Sequence, residues 1–208
     1  IFNTADQLTA DPGSATLRSK FLQSVDDAAT AFRRTAVSLS SAASGVASAA
    51  QGAAGQLNTD LAALSRVNDG LRRARAGSTN EATLLDERDR LVGSISSATN
   101  VTATTGIRGT VSIQAPDGTV LLDGTTVAQI TADVAADGTI GFSINGGGSL
   151  ISSSGTIAGV TEAASHIAQQ RTGLDTLASQ FVADLNSAHQ SGFDANGNAG
   201  TALLNLNG

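Results

Sequence analysis

A long apolar stripe with helical spacing constrains this sequence more than any other feature. From residue 17 to residue 71, mostly apolar side chains recur in 15 steps over 54 residues, which is 3.6 residues per step. Because this is the period of a straight α-helix, the stripe predicts one very long helix, or two nearly collinear ones, about 90 Å long at 1.5 Å per residue. Asn68 is its one polar member. The stripe comprises Leu17, Phe21, Val25, Ala28, Phe32, Ala36, Leu39, Ala43, Val46, Ala50, Ala53, Leu57, Leu61, Leu64, Asn68 and Leu71.

Turn and capping residues bound this helix and begin a second one. Ser14 is suited to the N-cap of the long helix, and Gly77 can adopt the left-handed conformation that ends it. We expect Thr79 or Asn80 to cap the second helix. The connection is short, which predicts an antiparallel helical hairpin. The apolar face of the second helix comprises Leu84, Leu85, Leu91, Val92 and Ile95.

A third helix is predicted between about residues 160 and 190, where apolar residues again recur with helical spacing. We expect its apolar face to pack on the hairpin and to complete a three-helix bundle. That face comprises Ile167, Leu174, Leu177, Ala178, Phe181, Val182, Leu185 and Ala188. A turn-rich tail follows, and its end at 202–204 is typical of an edge strand or an apolar plug.

Between the second and third helices, from about 101 to 159, β-branched residues replace the helix formers. The segments typical of strands are 101–105, 110–113, 119–122 and 139–145. Asp-Gly pairs at 117–118, 123–124 and 137–138 tolerate the positive φ angles of tight hairpin turns. Glycine-rich and serine-rich loops are expected at 146–148 and 152–155.

These segments together predict an α+β fold. It consists of a long antiparallel helical hairpin, a third helix and a small antiparallel β domain inserted between them. The predicted domain boundaries are 1–100 together with 160–208 for a discontinuous helical rod domain, and 101–159 for the inserted β domain.

Composition narrows the classes of function. The chain has no Cys, which excludes disulfides and thiolate metal sites, and its net charge of -6 argues against nucleic acid as a partner. No apolar run reaches the ~18 residues that a membrane span needs. Because the sequence begins at Ile1, within what looks like a helix, we expect it to be a piece of a longer protein.

Catalytic patterns are not found in the sequence. His166 and His189 each lie on a predicted helix without a second His or a carboxylate three or four residues further on, so packing or exposure is expected for both. The densest charge cluster, Asp86-Glu87-Arg88-Asp89-Arg90, is expected to be an ion-paired helix face in which Asp86 and Arg90 form an i,i+4 pair. No cofactor is expected, and the sequence does not predict an enzyme.

A cation site is the sharpest alternative. Asp194, Asn196 and Asn198 occupy the first, third and fifth positions of an EF-hand-like loop. Ala199 replaces the usual Gly at the sixth position, and Asn205 replaces the bidentate Glu at the twelfth. An Asx-rich turn is therefore the preferred interpretation, and a weak cation site is the alternative.

Two blocks of the sequence resemble a known family. The first, from Leu84 to Val92, is similar to the L-L-D-x-R-D-x-L-[VI] signature of flagellar hook-associated protein 1, and the second, from Leu174 to Gly200, is similar to its L-D-x-L-A…N-x-x-H-x-x-G-x-D-x-x-G-x-x-G segment. The matching positions are Leu84, Leu85, Asp86, Arg88, Asp89, Leu91, Leu174, Asp175, Leu177, Asn186, His189, Gly192, Asp194, Gly197 and Gly200. The family's G-G-x-L-x-G-L stretch before the last helix is mostly replaced here by 159–165.

The resemblance implies a structural role. Members of this family are secreted through the flagellar export apparatus and form the junction between hook and filament, beside the hook protein and hook-associated protein 3. The chain would then be the central part of such a protein, without the terminal segments that assemble, and we expect it to be monomeric by itself. The alternatives are another flagellar axial protein (a flagellin or hook-associated protein 3) and a calcium-dependent binding module or adhesin.

Overall fold

The computed structural model describes residues 1–145, 148–194 and 196–205 of the chain. In these residues, four α-helices are combined with short antiparallel strands that all lie between the third and the fourth helix. The α+β fold class, with a long helical hairpin and a third long helix, is therefore confirmed. The helices are α1 (Phe2–Ala10), α2 (Ala15–Arg73), α3 (Thr79–Ala98) and α4 (Gly155–Gln190).

Helix α2 is the helix that the apolar stripe predicts, and it is one element of 59 residues. It begins after Ser14, whose hydroxyl accepts a hydrogen bond from the Leu17 backbone N–H at 3.3 Å. Along the second half of the helix the stripe is almost completely buried, and Asn68 is as buried as its apolar neighbours. The fully buried members are Ala50, Leu57, Leu61, Leu64, Asn68 and Leu71.

The N-cap of α3 is Ser78, so the prediction of Thr79 or Asn80 was wrong. The Ser78 hydroxyl accepts a hydrogen bond from the Glu81 N–H at 3.2 Å, and the Glu81 carboxylate accepts one from the Gly77 N–H at 2.7 Å. This reciprocal arrangement satisfies two backbone donors at the helix start, which explains why the cap lies one residue earlier.

Two contacts fix the antiparallel register of α2 and α3. A Cβ atom on Gly70 would lie 3.1 Å from Leu84 Cδ1, so the helices approach closely where the hairpin begins. Further along, Ser94 donates a hydrogen bond to the Asp60 carboxylate at 2.6 Å. Because the position on α2 falls as the position on α3 rises, the predicted antiparallel hairpin is confirmed.

The strands form two antiparallel sheets, with orders β1-β2-β3-β4 and β5-β6-β7. The Asp-Gly pairs at 117–118, 123–124 and 137–138 connect β2 to β3, β3 to β4 and β5 to β6, as predicted, and each glycine has a positive φ.

Sequence patterns missed β4, β5 and β7. Of the predicted loop at 146–148, Gly146 and Gly147 lie outside the described residues. The strands are β1 (Thr102–Thr105), β2 (Val111–Gln114), β3 (Val120–Asp123), β4 (Thr126–Val127), β5 (Ile130–Val134), β6 (Ile140–Ile144) and β7 (Gly148–Ser149).

The chain divides into two compact units, and the second of them, residues 42–168, contains one hydrophobic core. Leu57 and Leu61 of α2, Leu91 of α3 and Ile157 of α4 all belong to this core, which also includes the inward-facing residues of both sheets, such as Ile113. In this unit the three long helices therefore pack together with the sheets.

The first unit comprises residues 1–41 and 169–208. Here the later part of α4 packs against the early part of α2, and the rings of Phe181 and Phe32 lie 5.5 Å apart between centroids. The prediction that Leu177 and Ala188 pack on the hairpin was wrong, because both are exposed and Leu177 is 60% accessible. A stripe at helical spacing covers a wide arc, and the edge of that arc faces solvent here. The domain boundaries predicted from the sequence stay a prediction.

Candidate functional site

The end of α4 and the segment after it carry the most specific sequence pattern, and side-chain hydrogen bonds connect them. The Asn186 side-chain oxygen accepts hydrogen bonds from the backbone N–H groups of Leu203 (2.8 Å) and Leu204 (3.0 Å). Its amide nitrogen donates to the Leu204 carbonyl at 2.9 Å. One side chain thus satisfies three backbone groups of a segment that forms no strand, so the edge-strand interpretation of 202–204 was wrong.

His189 holds the same segment about one helical turn further along α4. Its Nδ1 lies 2.6 Å from the Thr201 carbonyl oxygen, and because that oxygen can only accept, Nδ1 carries the proton. A Cβ atom on Gly200 would collide with the His189 carbonyl oxygen. The Gly200 N–H donates to the Gly192 carbonyl at 3.0 Å. A glycine at position 200 therefore allows the segment to approach the helix end.

Asp194, Asn196 and Asn198 lie together in a tight turn; Ala195 between them lies outside the described residues. One Asp194 carboxylate oxygen accepts hydrogen bonds from the Asn196 and Asn198 backbone N–H groups, both at 2.8 Å, and the other accepts one from the Asn198 side chain at 3.0 Å. The bonds from Asn198, and a smaller contribution from Asn196, hold the pKa of Asp194 below its ordinary value. Gly197 completes the turn with a φ of 85°. The carboxylate thus organises an Asx turn.

The charged segment 86–90 is an ion-paired helix face, but its pairing differs from the prediction. Arg90 binds Glu87 through two hydrogen bonds, at 2.6 and 2.8 Å, and not Asp86. The Glu87 side chain is longer than that of Asp86, and its carboxylate reaches both Nε and Nη2 of Arg90. This two-bond contact explains why Arg90 pairs with Glu87 and not with Asp86. The hydrogen bond between them lowers the pKa of Glu87 and raises that of Arg90. Asp86 is exposed.

Arg88 is the member of this segment that connects different elements. Its side chain is only 16% exposed, and it donates to the Gly109 carbonyl at 2.8 Å and to Asp89 at 2.8 Å. A Cβ atom on Gly109 would lie 2.7 Å from Leu85 Cδ2, so the turn after β1 packs directly on α3.

Arg108, in the same turn, closes the C-terminus of α2. Its guanidinium donates to the Arg72 carbonyl at 3.0 Å and to the Ala74 carbonyl at 2.9 Å. Arg108 has a φ of 60°, in the left-handed region that non-glycine residues rarely adopt. Its two hydrogen bonds satisfy carbonyls that a helix end leaves without partners and help to hold this conformation. Sequence patterns gave no indication of this role.

Two asparagines of α2 attach the sheets to the helix. Asn68 donates to the Val111 carbonyl at 2.8 Å and accepts from the Val111 N–H at 2.9 Å. Asn58 makes the same pair of bonds, both at 2.8 Å, with Ile130 at the start of β5. Each side-chain amide thus binds the N–H and C=O of one strand residue, as a residue of a neighbouring strand would. The sequence marked Asn68 only as a polar break in an apolar stripe.

Catalytic machinery is not apparent among the described residues. His166 lies 3.6 Å from the Glu162 carboxylate, one turn earlier on α4, and both side chains are more than 60% exposed, at 67% and 75%. Glu162 precedes His166 along the helix, so the prediction, which depended on carboxylates three or four residues further on, missed this pair. No group of three or more His, Asp or Glu in the described ranges could hold a metal ion. None of the helices described is long and apolar enough to cross a membrane.

The first unit contains a shallow apolar groove of about 280 Å³ between α2 and α4. Leu204, the residue that Asn186 holds, lines one part of it. Arg33 and Asp175 contribute opposite charges to its lining. The anchored C-terminal segment is therefore part of the wall of this groove.

Comparison with known proteins identifies a family whose sequence profile covers nearly the whole chain. A sequence profile described as "Flagellar hook-associated protein FlgK helical domain" matches residues 1–204. The chain belongs to this family. FlgK is a flagellar hook-associated protein family and not a family of enzymes.

Two relatives of the FlgK family illustrate the similarity. Flagellar hook-associated protein 1 of Escherichia coli (strain K12) is 29% identical over 157 residues, which are 70% of this chain and 29% of that protein. The structure of the flagellar hook junction protein FlgK from Burkholderia pseudomallei has the same fold, with a TM-score of 0.82 and 20% identity, over 97% of this chain and 38% of that one. The chain thus spans well under half the length of either FlgK protein.

The structure shows contacts for many of the FlgK-like positions. Leu91 is buried in the core, while Leu84 and Leu85 pack against glycines of neighbouring elements. Asn186 and His189 anchor the C-terminal segment, as described above. Asp86, Asp175 and Leu177 are exposed, and Asp175 also lines the groove of the first unit. The roles of the individual positions stay predictions.

Proposed function

We propose that this chain is the central part of a structural protein at the junction between the flagellar hook and filament. Membership of the FlgK family over residues 1–204 is the observation that carries this proposal. The geometry supports it as well. Helices of 59 and 36 residues form the framework. Asn58 and Asn68 attach strands to α2, Arg108 attaches a turn to the end of α2, and Asn186 attaches the C-terminal segment to α4.

The proposed mechanism is mechanical and involves no catalysis. Paired backbone groups and capped helix ends resist local opening, so force applied to one element passes to its neighbours. By its similarity to the family, the intact protein would be secreted, would lie in the extracellular flagellum, and would assemble with copies of itself beside the hook protein and hook-associated protein 3. Nucleic acid and membranes have no part in this role.

Labelling of isolated flagella tests the proposal. Antibodies raised against this chain, conjugated to gold, should bind in a narrow band at the end of the hook when flagella are viewed by electron microscopy. A label along the whole filament would favour the flagellin alternative. Flagella that carry no label, although the protein is present in the cells, would contradict the proposal.

A calcium-dependent binding module is the second candidate, and the carboxylate of Asp194 is the observation that raises it. Its oxygens already accept three N–H groups in the described turn. We therefore expect calorimetric titration with calcium to detect no binding tighter than about millimolar. Tighter binding that disappears in Asp194→Ala, and not in Asp184→Ala, would support the calcium module instead.

A further inference from the structure

The sheet edges in the described part of the chain differ in how well they are protected. Unpaired N–H and C=O groups on an edge invite another strand, and proteins shorten, charge or cover such edges. β4 and β7 have only two residues each. β5 contains the charged residue Asp133. The N–H and C=O of Ile130, which begins β5, are already hydrogen-bonded to Asn58. β1, by contrast, has four residues (Thr-Ala-Thr-Thr), all exposed and without charge.

The register of β1 on β2 determines which groups point outward. Hydrogen-bonded and non-hydrogen-bonded pairs alternate along an antiparallel ladder. Thr105 is the partner of Val111, yet the N–H and C=O of Val111 bind Asn68 and not Thr105. Thr105 and Ala103, two residues earlier, are therefore the β1 residues whose backbone groups point away from β2. No contact within the described ranges satisfies these outward groups.

We propose that β1 is an interaction surface for a second copy of this chain, which pairs with it antiparallel about a two-fold axis at Thr104. In this register Ala103 of each copy faces Thr105 of the other, which gives four main-chain hydrogen bonds. Thr104 faces Thr104, a favourable cross-strand combination. Gly106 faces Thr102 and leaves room for its side chain. The strand is thus complementary to itself.

The lack of charge around β1 also favours a second copy of this chain as its partner. The chain has a net charge of -6, so most surfaces of two copies repel each other. Between residues 99 and 107 there is no charged residue, and like charges do not meet along the paired strands. The hydroxyl of Ser152 binds the Asn100 side chain at 2.8 Å just before β1, which favours pairing centred toward the other end of the strand.

The small area of such a contact indicates a weak complex. A short strand pair buries much less than the about 1,200 Å² that stable complexes bury, so pairing requires high protein concentration. This agrees with a chain that is monomeric when dilute. A two-fold contact closes on itself and yields pairs, not rings or filaments. The proposal is therefore independent of the proposed role at the flagellar junction.

Cysteine trapping tests the proposal directly, because the chain has no cysteine of its own. At the two-fold axis, the Cα atoms of two Thr104 residues would be about 4.5 Å apart, which is within the range of a disulfide. Thr102→Cys is the matched control, since two copies of residue 102 would be separated by about 14 Å along the strands. At high protein concentration and under mild oxidation, Thr104→Cys should form disulfide-linked dimers severalfold faster than Thr102→Cys. Equal rates would overturn the proposal.

A second comparison separates strand pairing from random collision. Ala103→Pro removes an outward N–H and leaves the hydrogen bonds to β2 intact. Added to Thr104→Cys, it should abolish the faster cross-linking while circular dichroism remains unchanged. In the wild-type chain, hydrogen exchange at Ala103 and Thr105 should slow as the protein concentration rises. Exchange at these two amides that does not change with concentration would also overturn the proposal.

Discussion

Asn68 of α2 and Val111 of β2 exchange two hydrogen bonds, at 2.8 and 2.9 Å, across 43 residues of sequence. Asn68 is completely buried and Val111 nearly so. The amide therefore acts as an additional strand residue inside the core. It fixes where β2 begins relative to the long helix.

Replacing Asn68 by Leu should destabilise the chain, although Leu would complete the apolar stripe. The buried Val111 N–H and C=O would lose their partners, at a cost of about 1–3 kcal/mol for each orphaned group. We expect the free energy of unfolding in urea to fall by about 2–4 kcal/mol. Asn58→Leu is the matched control, and because Asn58 is only half-buried, water can replace its bonds and the loss should be smaller. A stabilised Asn68→Leu variant would contradict this account.

Asn186→Ala should release the C-terminal segment without unfolding α4. The Leu203 and Leu204 N–H groups would lose their acceptor, which is worth about 1–3 kcal/mol, so their hydrogen exchange should accelerate about tenfold or more. Ser187→Ala, on the adjacent residue, is the control and should leave these rates unchanged. Equal rates in all three proteins would mean that the segment is held by other contacts.

The turn at 137–138 should lose stability in acid. The Thr139 hydroxyl and N–H both donate to the Asp137 carboxylate, at 2.7 and 2.9 Å, and they hold its pKa below the ordinary value. A carboxyl with a lowered pKa stabilises the fold above its unfolded-state pKa, and this contribution is lost as the pH falls through the folded-state pKa. Thr139→Val should therefore raise the pKa of Asp137 in an NMR titration. An unchanged pKa would show that the hydroxyl contributes nothing.

Two glycines of α4 should respond to alanine in opposite directions. Gly155 has a φ of 79°, and a Cβ atom there would lie 2.6 Å from the Ser97 carbonyl oxygen. Gly155→Ala should therefore destabilise the chain by more than about 1 kcal/mol. Gly159 is open to solvent within the same helix, and Gly159→Ala should stabilise it by about 0.4–1 kcal/mol. Thermal unfolding of both variants checks the difference in sign, and two changes of the same sign would refute it.

Periodic and local signals were sufficient to predict much of this fold. The 3.6-residue stripe predicted α2 because a helix of that length must repeat its buried positions many times. Asp-Gly pairs predicted three hairpins because few other dipeptides tolerate the required φ angles. β5 was missed because Ile130-Thr131-Ala132-Asp133-Val134 includes residues that strands disfavour and has no turn signal before it.

The contacts that give the candidate site its form depend on residues far apart in sequence. Asn68 binds Val111, and Arg108 binds the carbonyls of Arg72 and Ala74. No local sequence pattern predicts either contact. The pairing of Arg90 with Glu87 instead of Asp86 depends on side-chain reach, which spacing alone does not decide.

Removal of the gene for the whole protein tests the central claim most directly. A structural junction between hook and filament predicts cells that still build hooks, lack filaments and release flagellin into the medium. Restoring the gene should restore filaments, and the Asn186→Ala variant should restore them less well. Filaments of normal number and length in cells without the gene would contradict the account.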